Sequence, residues 1–160
     1  MNLQKQNWIF YLALAGILVL DQAVKFATIG ALNPGESIPV IQGIFHITYV
    51  RNTGAAFSIL AGKTGVLMSF TGIVILMLLI YFVKNAASMH TLLKACYVMI
   101  IAGGAGNLAD RMFRGFVVDS FDFRIWPVFN VADISICVGC GLLMFYVLIV
   151  EPRNKKNDKD

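Results

Sequence analysis

The sequence predicts an all-α membrane protein with four transmembrane helices, a small extramembrane β cradle and an amphipathic loop. Three observations carry that reading. The 160 residues are 58% hydrophobic and only 14% charged, whereas average soluble domains run at roughly 45–50% and about 25%. Mean hydropathy is +0.74. The apolar residues also gather into long runs, separated by shorter stretches that hold the turn signals and most of the acids. The length leaves room for a single domain, read here as one integral membrane unit over residues 1–160 with spans at about 8–29, 66–83, 92–108 and 131–150.

The first apolar run, Trp8–Leu20, is too short to cross a bilayer alone, because a helix needs ~20 residues for a ~30 Å hydrocarbon core. Continuing it through Asp21 and Lys25 gives a full span. These two charges stand at i,i+4 with the acid first, the favourable order for a helical pair, and are read as a structural pair. A cleaved signal peptide is the alternative, but the apolar run continues past the charges and no convincing small-x-small site follows it. From Leu32 the pattern changes. Asn33-Pro34-Gly35 signals a turn, Ile44–Val50 is β-branched and aromatic, and Arg51-Asn52-Thr53-Gly54 offers turn chemistry. A small sheet over about 36–60 is expected outside the bilayer. Gly62-Lys63-Thr64 fails as a phosphate loop, since Phe57 stands where its first glycine is required.

Val66–Val83 is the second span, and Lys84–Lys94 is read as a short polar loop in which His90 has no obvious partner. The third span, Leu92–Leu108, turns glycine-rich. Gly104-x-Gly106-x-x-Ala109 formally matches a dinucleotide fingerprint but lacks a βαβ unit, and close packing through small residues explains these glycines better. Asn107, Asp110 and Arg111 end that helix, with 107 and 111 on one face. Gly115–Pro127 sets Phe116, Phe121, Phe123 and Trp126 among charges, as expected of an interfacial loop. The fourth span, from about Val131 to Val150, is stopped by Glu151-Pro152-Arg153, and residues 151–160 form a charged tail. Cys137 and Cys140 make a C-x-x-C inside this span; without a second pair or a nearby histidine they read as small residues on a helix face. The net charge of +4 comes largely from the chain's ends, which argues against nucleic-acid binding.

The stretch with chemical content is Gly103–Asp133, which holds four of the nine acids. Carboxylates in so apolar a chain are expected to serve a task. Asp119 and Asp133 each sit at an apolar edge, fourteen residues apart. If the intervening loop folds back the two meet, and two carboxylates sharing a site cannot both ionise easily, which yields an acid/base pair. On the residues alone, Asp133 equally suits a helix N-terminus, Asp119 a loop acid and Asn52 a turn; Asp122 competes with Asp119.

Asp21-x-x-x-Lys25, Asn52-Thr53-Gly54-Ala55-Ala56-Phe57, Gly103-Gly104-Ala105-Gly106-Asn107-x-x-Asp110-Arg111, Val117-Val118-Asp119 and Phe129-Asn130-x-Ala132-Asp133 together resemble the motifs of lipoprotein signal peptidase (signal peptidase II). They fall in that family's order over roughly residues 8–150. The resemblance implies an aspartic endopeptidase that removes signal peptides from diacylglyceryl-modified bacterial prolipoproteins. It implies Asp119 and Asp133 as the catalytic dyad, with Asn52, Gly54, Asn107, Arg111, Asn130 and Ala132 binding substrate or supporting the site. It further implies no metal or cofactor, membrane lipids and prolipoprotein signal peptides as partners, and a monomer in the bacterial cytoplasmic membrane. Both termini are then cytoplasmic and the aspartates lie toward the outer face. Ser120 departs from the family pattern, which has phenylalanine after the first aspartate. Charge counting leaves orientation open, with seven basic residues on one side against six on the other. A solute transporter and a four-helix scaffold are the rival readings; the first predicts flux dependent on Asp119, the second a function that survives Asp119→Asn.

Overall fold

A computed structural model of the chain describes residues 3–54 and 64–152. Four helices form, α1 (Leu3–Ala31), α2 (Thr64–Asn85), α3 (Thr91–Arg114) and α4 (Val131–Phe145), and α4 runs on as a π-helical stretch over Tyr146–Val150. All four are long and apolar enough to cross a membrane. Half of the α3 span is buried, against 11%, 6% and 11% for the spans of α1, α2 and α4, so α3 is the central helix. The outer three turn Leu12, Val19, Phe70, Ile73, Leu76, Val138 and Leu148 outward, as helices bathed in lipid would.

Helix contact inside a bilayer depends on close approach rather than on the hydrophobic effect, and α3 achieves it through glycine. A Cβ on Gly103 would lie 2.4 Å from the Ala132 carbonyl oxygen, and one on Gly106 would lie 2.5 Å from Asp21 Oδ2. The face that carries these glycines also carries Asn107 and Asp110, by i,i+3 and i,i+4 spacing. Away from the site, Phe82, Ala86, Val98 and Ile101 form a buried cluster against Phe10, Leu14 and Ile17.

Three antiparallel strands, β1 (Ser37–Ile41), β2 (Phe45–Asn52) and β3 (Val117–Asp122), pair in the order β1-β2-β3. The first two lie within the expected cradle; its expected continuation over residues 55–60 lies outside the described residues, as do residues 62 and 63 of the rejected phosphate loop. The third strand corrects the sequence reading, which made all of Gly115–Pro127 a loop. Val117, Val118 and Phe121 supply strand-forming side chains, and β2 offers an edge on which Asn52 pairs with Val117 and Val50 with Asp119. Phe129 then folds back onto Phe121, accepting from the amides of Ser120 and Phe121 at 3.0 and 2.8 Å. Only the tip, residues 123–128, keeps the expected loop character, with Ile125 and Trp126 outward.

Other differences are local. The third helix continues beyond 108 to Arg114 and stops at Gly115, whose φ of 79° is left-handed. Lys94 lies within α3 and is buried, not in a polar loop. His90 does have partners: its Nδ1 caps α3 by accepting from the Leu92 amide, and its ring faces Tyr146 at 5.3 Å.

Gly103→Ala is expected to lower the thermal stability of the detergent-solubilised protein by roughly 1–3 kcal/mol, the usual range for overpacking, because the obstructing atom is backbone. Gly16→Ala, which meets nothing within 4 Å, should be neutral or mildly stabilising. Equal melting temperatures for the two variants would contradict this packing.

Candidate functional site

The site forms where the C-terminal ends of α1 and α3, the N-terminus of α4 and strand β3 converge. Its foundation is a charge cluster inside the protein. Lys25 Nζ lies 2.8 Å from Asp21 Oδ2 and 3.0 Å from Asp110 Oδ2, and all three side chains are fully buried. The sequence reading stopped at an Asp21–Lys25 pair and missed Asp110 as its third member. Asp110 Oδ1 is also held by Arg114, one helical turn on. Gln22 joins the cluster, donating to both Asp21 and Asp110.

The two acids of this cluster reach outward into the neighbouring backbone. Asp21 Oδ1 accepts from the amide of Ala132 at 2.9 Å, fixing the first turn of α4, and Asp110 Oδ2 accepts from the amide of Val118 at 3.0 Å, fixing β3. Asp119 and the start of α4 are therefore located by the same buried charges. Ala132 is fully buried against Gly103 and Gly106, so its contribution is to let α4 close on α3. Ser120, buried and sharing a hydrogen bond of 2.8 Å with Thr28, ties β3 to α1. A phenylalanine there would have to displace that contact.

Asparagines join the two carboxyl groups. Asn130 caps α4: its Oδ1 accepts from the Asp133 amide at 2.9 Å, while its own amide donates to Asp133 Oδ2 at 3.2 Å. This is a reciprocal capping box. The Asn130 Nδ2 group donates to Asp119 Oδ1 at 2.7 Å and to Asn107 Oδ1 at 3.2 Å. Asn107 Nδ2 donates to Asp133 Oδ1 at 2.8 Å. Asn52 Nδ2 donates to Asp119 Oδ2 at 3.0 Å, and Asn52 Oδ1 is itself held by the Gly54 amide at 2.8 Å, where the backbone turns through φ 90°. Of the expected residues, Asp119, Asp133, Asn52, Gly54, Asn107 and Asn130 are brought into one connected network. Arg111 does not reach the carboxyl groups: among the described residues its guanidinium donates to the Asn107 carbonyl, at 3.4 Å. Asp122 is diverted elsewhere, to Thr48 at 2.9 Å and Arg124 at 3.0 Å. Burial works against its charge, but those donors and the Arg124 cation outweigh burial and hold it below the usual carboxylate range.

Asp119 has the opposite balance. Burial pushes its carboxyl up to about 6; donation from Asn52 opposes the rise, the neighbouring Asp133 adds to it, and Asn130 and Lys25 oppose it. Two clefts open on the pair. One of about 280 Å³ is lined by Trp126, Phe129, Asp133, Ile134, Cys137 and Val138, and is apolar apart from the acid. The other, about 230 Å³, brings Arg51, Asn52 and Thr53 beside Asp119.

These features define a class, a four-helix membrane protein with two carboxyl groups linked through asparagines beside a small sheet. Comparison with known proteins narrows it. The family model described as signal peptidase (SPase) II matches residues 13–149. A lipoprotein signal peptidase of Halothermothrix orenii is 45% identical over 137 residues, covering 86% of this chain and 93% of that one; one of Fusobacterium nucleatum is 42% identical, covering 80% and 79%. A solved structure described as a bacterial membrane enzyme, determined by the in meso method at 1.9 Å, superposes with a TM-score of 0.79 at 32% identity over 88% of this chain and 93% of its own. A second, at 2.3 Å, gives 0.80 at 32% identity over 92% and 91%. The chain belongs to the signal peptidase II family and is a membrane peptidase.

The infrared carboxyl band that disappears in Asp119→Asn is expected to titrate with a midpoint near 6. Asn52→Leu should move that midpoint higher, because the Asn52 donor favours the ionised form. A midpoint at the ordinary aspartate value of about 4 would contradict the burial argued here.

Proposed function

We propose that the chain is an aspartic endopeptidase that removes the signal peptide from diacylglyceryl-modified prolipoproteins, with Asp119 and Asp133 as its dyad. The observation that supports this most strongly is the shared scaffold of the two carboxyls: Asn130 binds Asp119 through its side chain and Asp133 through both side chain and backbone. Family membership supplies the substrate class.

In the proposed reaction one carboxyl is ionised and the other carries a proton. Asp133, at the positive end of α4 and accepting two N–H groups, is the base. Asp119, 1% exposed, is the acid. Asp133 takes a proton from water as the oxygen attacks the scissile carbonyl carbon, and Asp119 gives its proton to the carbonyl oxygen. The tetrahedral intermediate collapses as the leaving nitrogen receives the proton held by Asp133. The hydroxyl proton of the intermediate returns to the pair, leaving a carboxyl product, an amine and a dyad with one proton again.

The two clefts suit the two halves of the substrate. The apolar cleft beside Asp133 receives apolar parts of the substrate, and the cleft with Arg51, Asn52 and Thr53 receives the polar chain that follows the lipid-modified cysteine. The working orientation places the sheet at the outer face of the bacterial cytoplasmic membrane and both termini in the cytoplasm, with the chain acting as a monomer.

Asp119→Asn and Asp133→Asn are each expected to lower kcat for a diacylglyceryl-modified prolipoprotein peptide by about 10²–10⁴-fold, with both variants folded. Asp119 is protonated below about 6 and ionised above, so kcat/KM should fall as pH rises through that value. The corresponding limb in kcat should lie higher, because bound substrate excludes water. Full activity in either variant, or kcat/KM that rises through the same range, would contradict the assignment.

A further inference from the structure

We infer that Lys25 is a positioning residue for the acid pair, acting through Asn107 to fix which end of that amide faces Asp133. The inference rests on the dyad proposed above. An ammonium group can only donate hydrogen bonds. Lys25 Nζ lies 3.0 Å from one terminal atom of the Asn107 amide, and that atom must therefore be the oxygen. The same oxygen receives Asn130 Nδ2 at 3.2 Å. With its oxygen committed to two donors, Asn107 has only its NH₂ to present to Asp133 Oδ1, at 2.8 Å.

The direction of this relay matters chemically. An NH₂ facing Asp133 favours a carboxylate there, which a general base requires, whereas an amide oxygen in that place would favour a protonated acid. Asn130 obeys the same direction, with its NH₂ toward Asp119 and Asn107 and its oxygen toward the Asp133 amide. The Asp133 amide, which can only donate, fixes Asn130 by itself, so the buried cation acts on the polarity of the hydrogen bond that Asn107 makes to Asp133. Lys25 bonds to neither carboxyl of the pair: its charge acts on Asp119 through space, opposing the rise there, while its hydrogen-bonded route to Asp133 passes through Asn107.

The charged groups around Lys25 are Asp21 on its own helix, Asp110 on α3 with Arg114 behind it, and the pair Asp119 and Asp133 across Asn107. A bare Lys25→Met change leaves Asp21 and Asp110 facing a single cation, Arg114, and risks losing the fold. Lys25→Met combined with Asp110→Asn leaves one acid and one cation in the cluster, preserving its charge balance while leaving the Asn107 oxygen without its ammonium.

The experiment measures kcat, KM and the pH profile of peptide cleavage for wild type, Lys25→Met/Asp110→Asn, Asn107→Ala and Asp133→Asn in detergent. Positioning through Asn107 predicts that the double variant loses kcat on the order of 10²-fold, the scale of a displaced catalytic group, with KM nearly unchanged. Its acidic limb should move to higher pH, and Asn107→Ala should show the same displaced limb. A double variant with wild-type kcat and pH profile would overturn the inference, leaving Lys25 as a purely structural cation. Asn107→Ala keeps the three buried ion partners and so still tests the relay if the double variant does not fold: an unaltered pH profile in it also overturns the inference. Activity retained in Asp133→Asn would instead sink the dyad itself, so the two failures are distinguishable.

Discussion

The ammonium of Lys25 between Asp21 and Asp110 is the constraint on which the rest of this structure depends. Three full charges without solvent exposure are costly to bury and contribute little net stability, yet removing one partner leaves an uncompensated charge in a low dielectric. What the cluster supplies is registry. Asp21 extends to the first turn of α4 and Asp110 to the first residues of β3, so α1, α3, α4 and β3 share one reference point. Gly103 and Gly106 make this possible, because a side chain at either would occupy the space of α4 or of Asp21 itself.

From that reference point the carboxyl groups acquire different surroundings. Asp119 arrives on a strand, closed in by Val118, Ser120 and Asn130, where burial favours its neutral form. Asp133 arrives in the first turn of a helix, in a capping box and beside an open apolar cleft. Identical side chains in unlike environments are the usual origin of an acid and a base in one site. In the proposed mechanism that difference exists before substrate binds, and the asparagines hold it.

Much of this was legible in the sequence, because membrane insertion leaves a strong signal. The four apolar runs became the four helices, and the β-branched run at 44–50 became most of β2. The family motifs identified Asp119, Asp133, Asn52, Asn107 and Asn130, which the structure brings together. The two misses at the site share a cause: each depended on a partner distant along the chain. Strand β3 was hidden because Asp119, Asp122 and Arg124 make the segment look like a polar loop until β2 is there to pair with it. Asp110 looked like a helix-end acid, although its spacing from Gly103, Gly106 and Asn107 places it on the packed face of α3. Asn130-x-x-Asp133 is itself a capping signature, and it agrees with the start of the fourth span at Val131 that the apolar run already gave.

In the proposed mechanism the two carboxyl groups act on water and do not attack the peptide themselves. A single turnover in ¹⁸O-labelled water, with unlabelled enzyme in excess over the prolipoprotein peptide, tests this most directly. Water attack between Asp119 and Asp133 predicts that the new C-terminal carboxyl of the released signal peptide carries one ¹⁸O after the first turnover, with both aspartates unlabelled. An unlabelled first product, with ¹⁸O appearing in Asp119 or Asp133, would mean that an aspartate attacks the carbonyl carbon, and the account would be wrong.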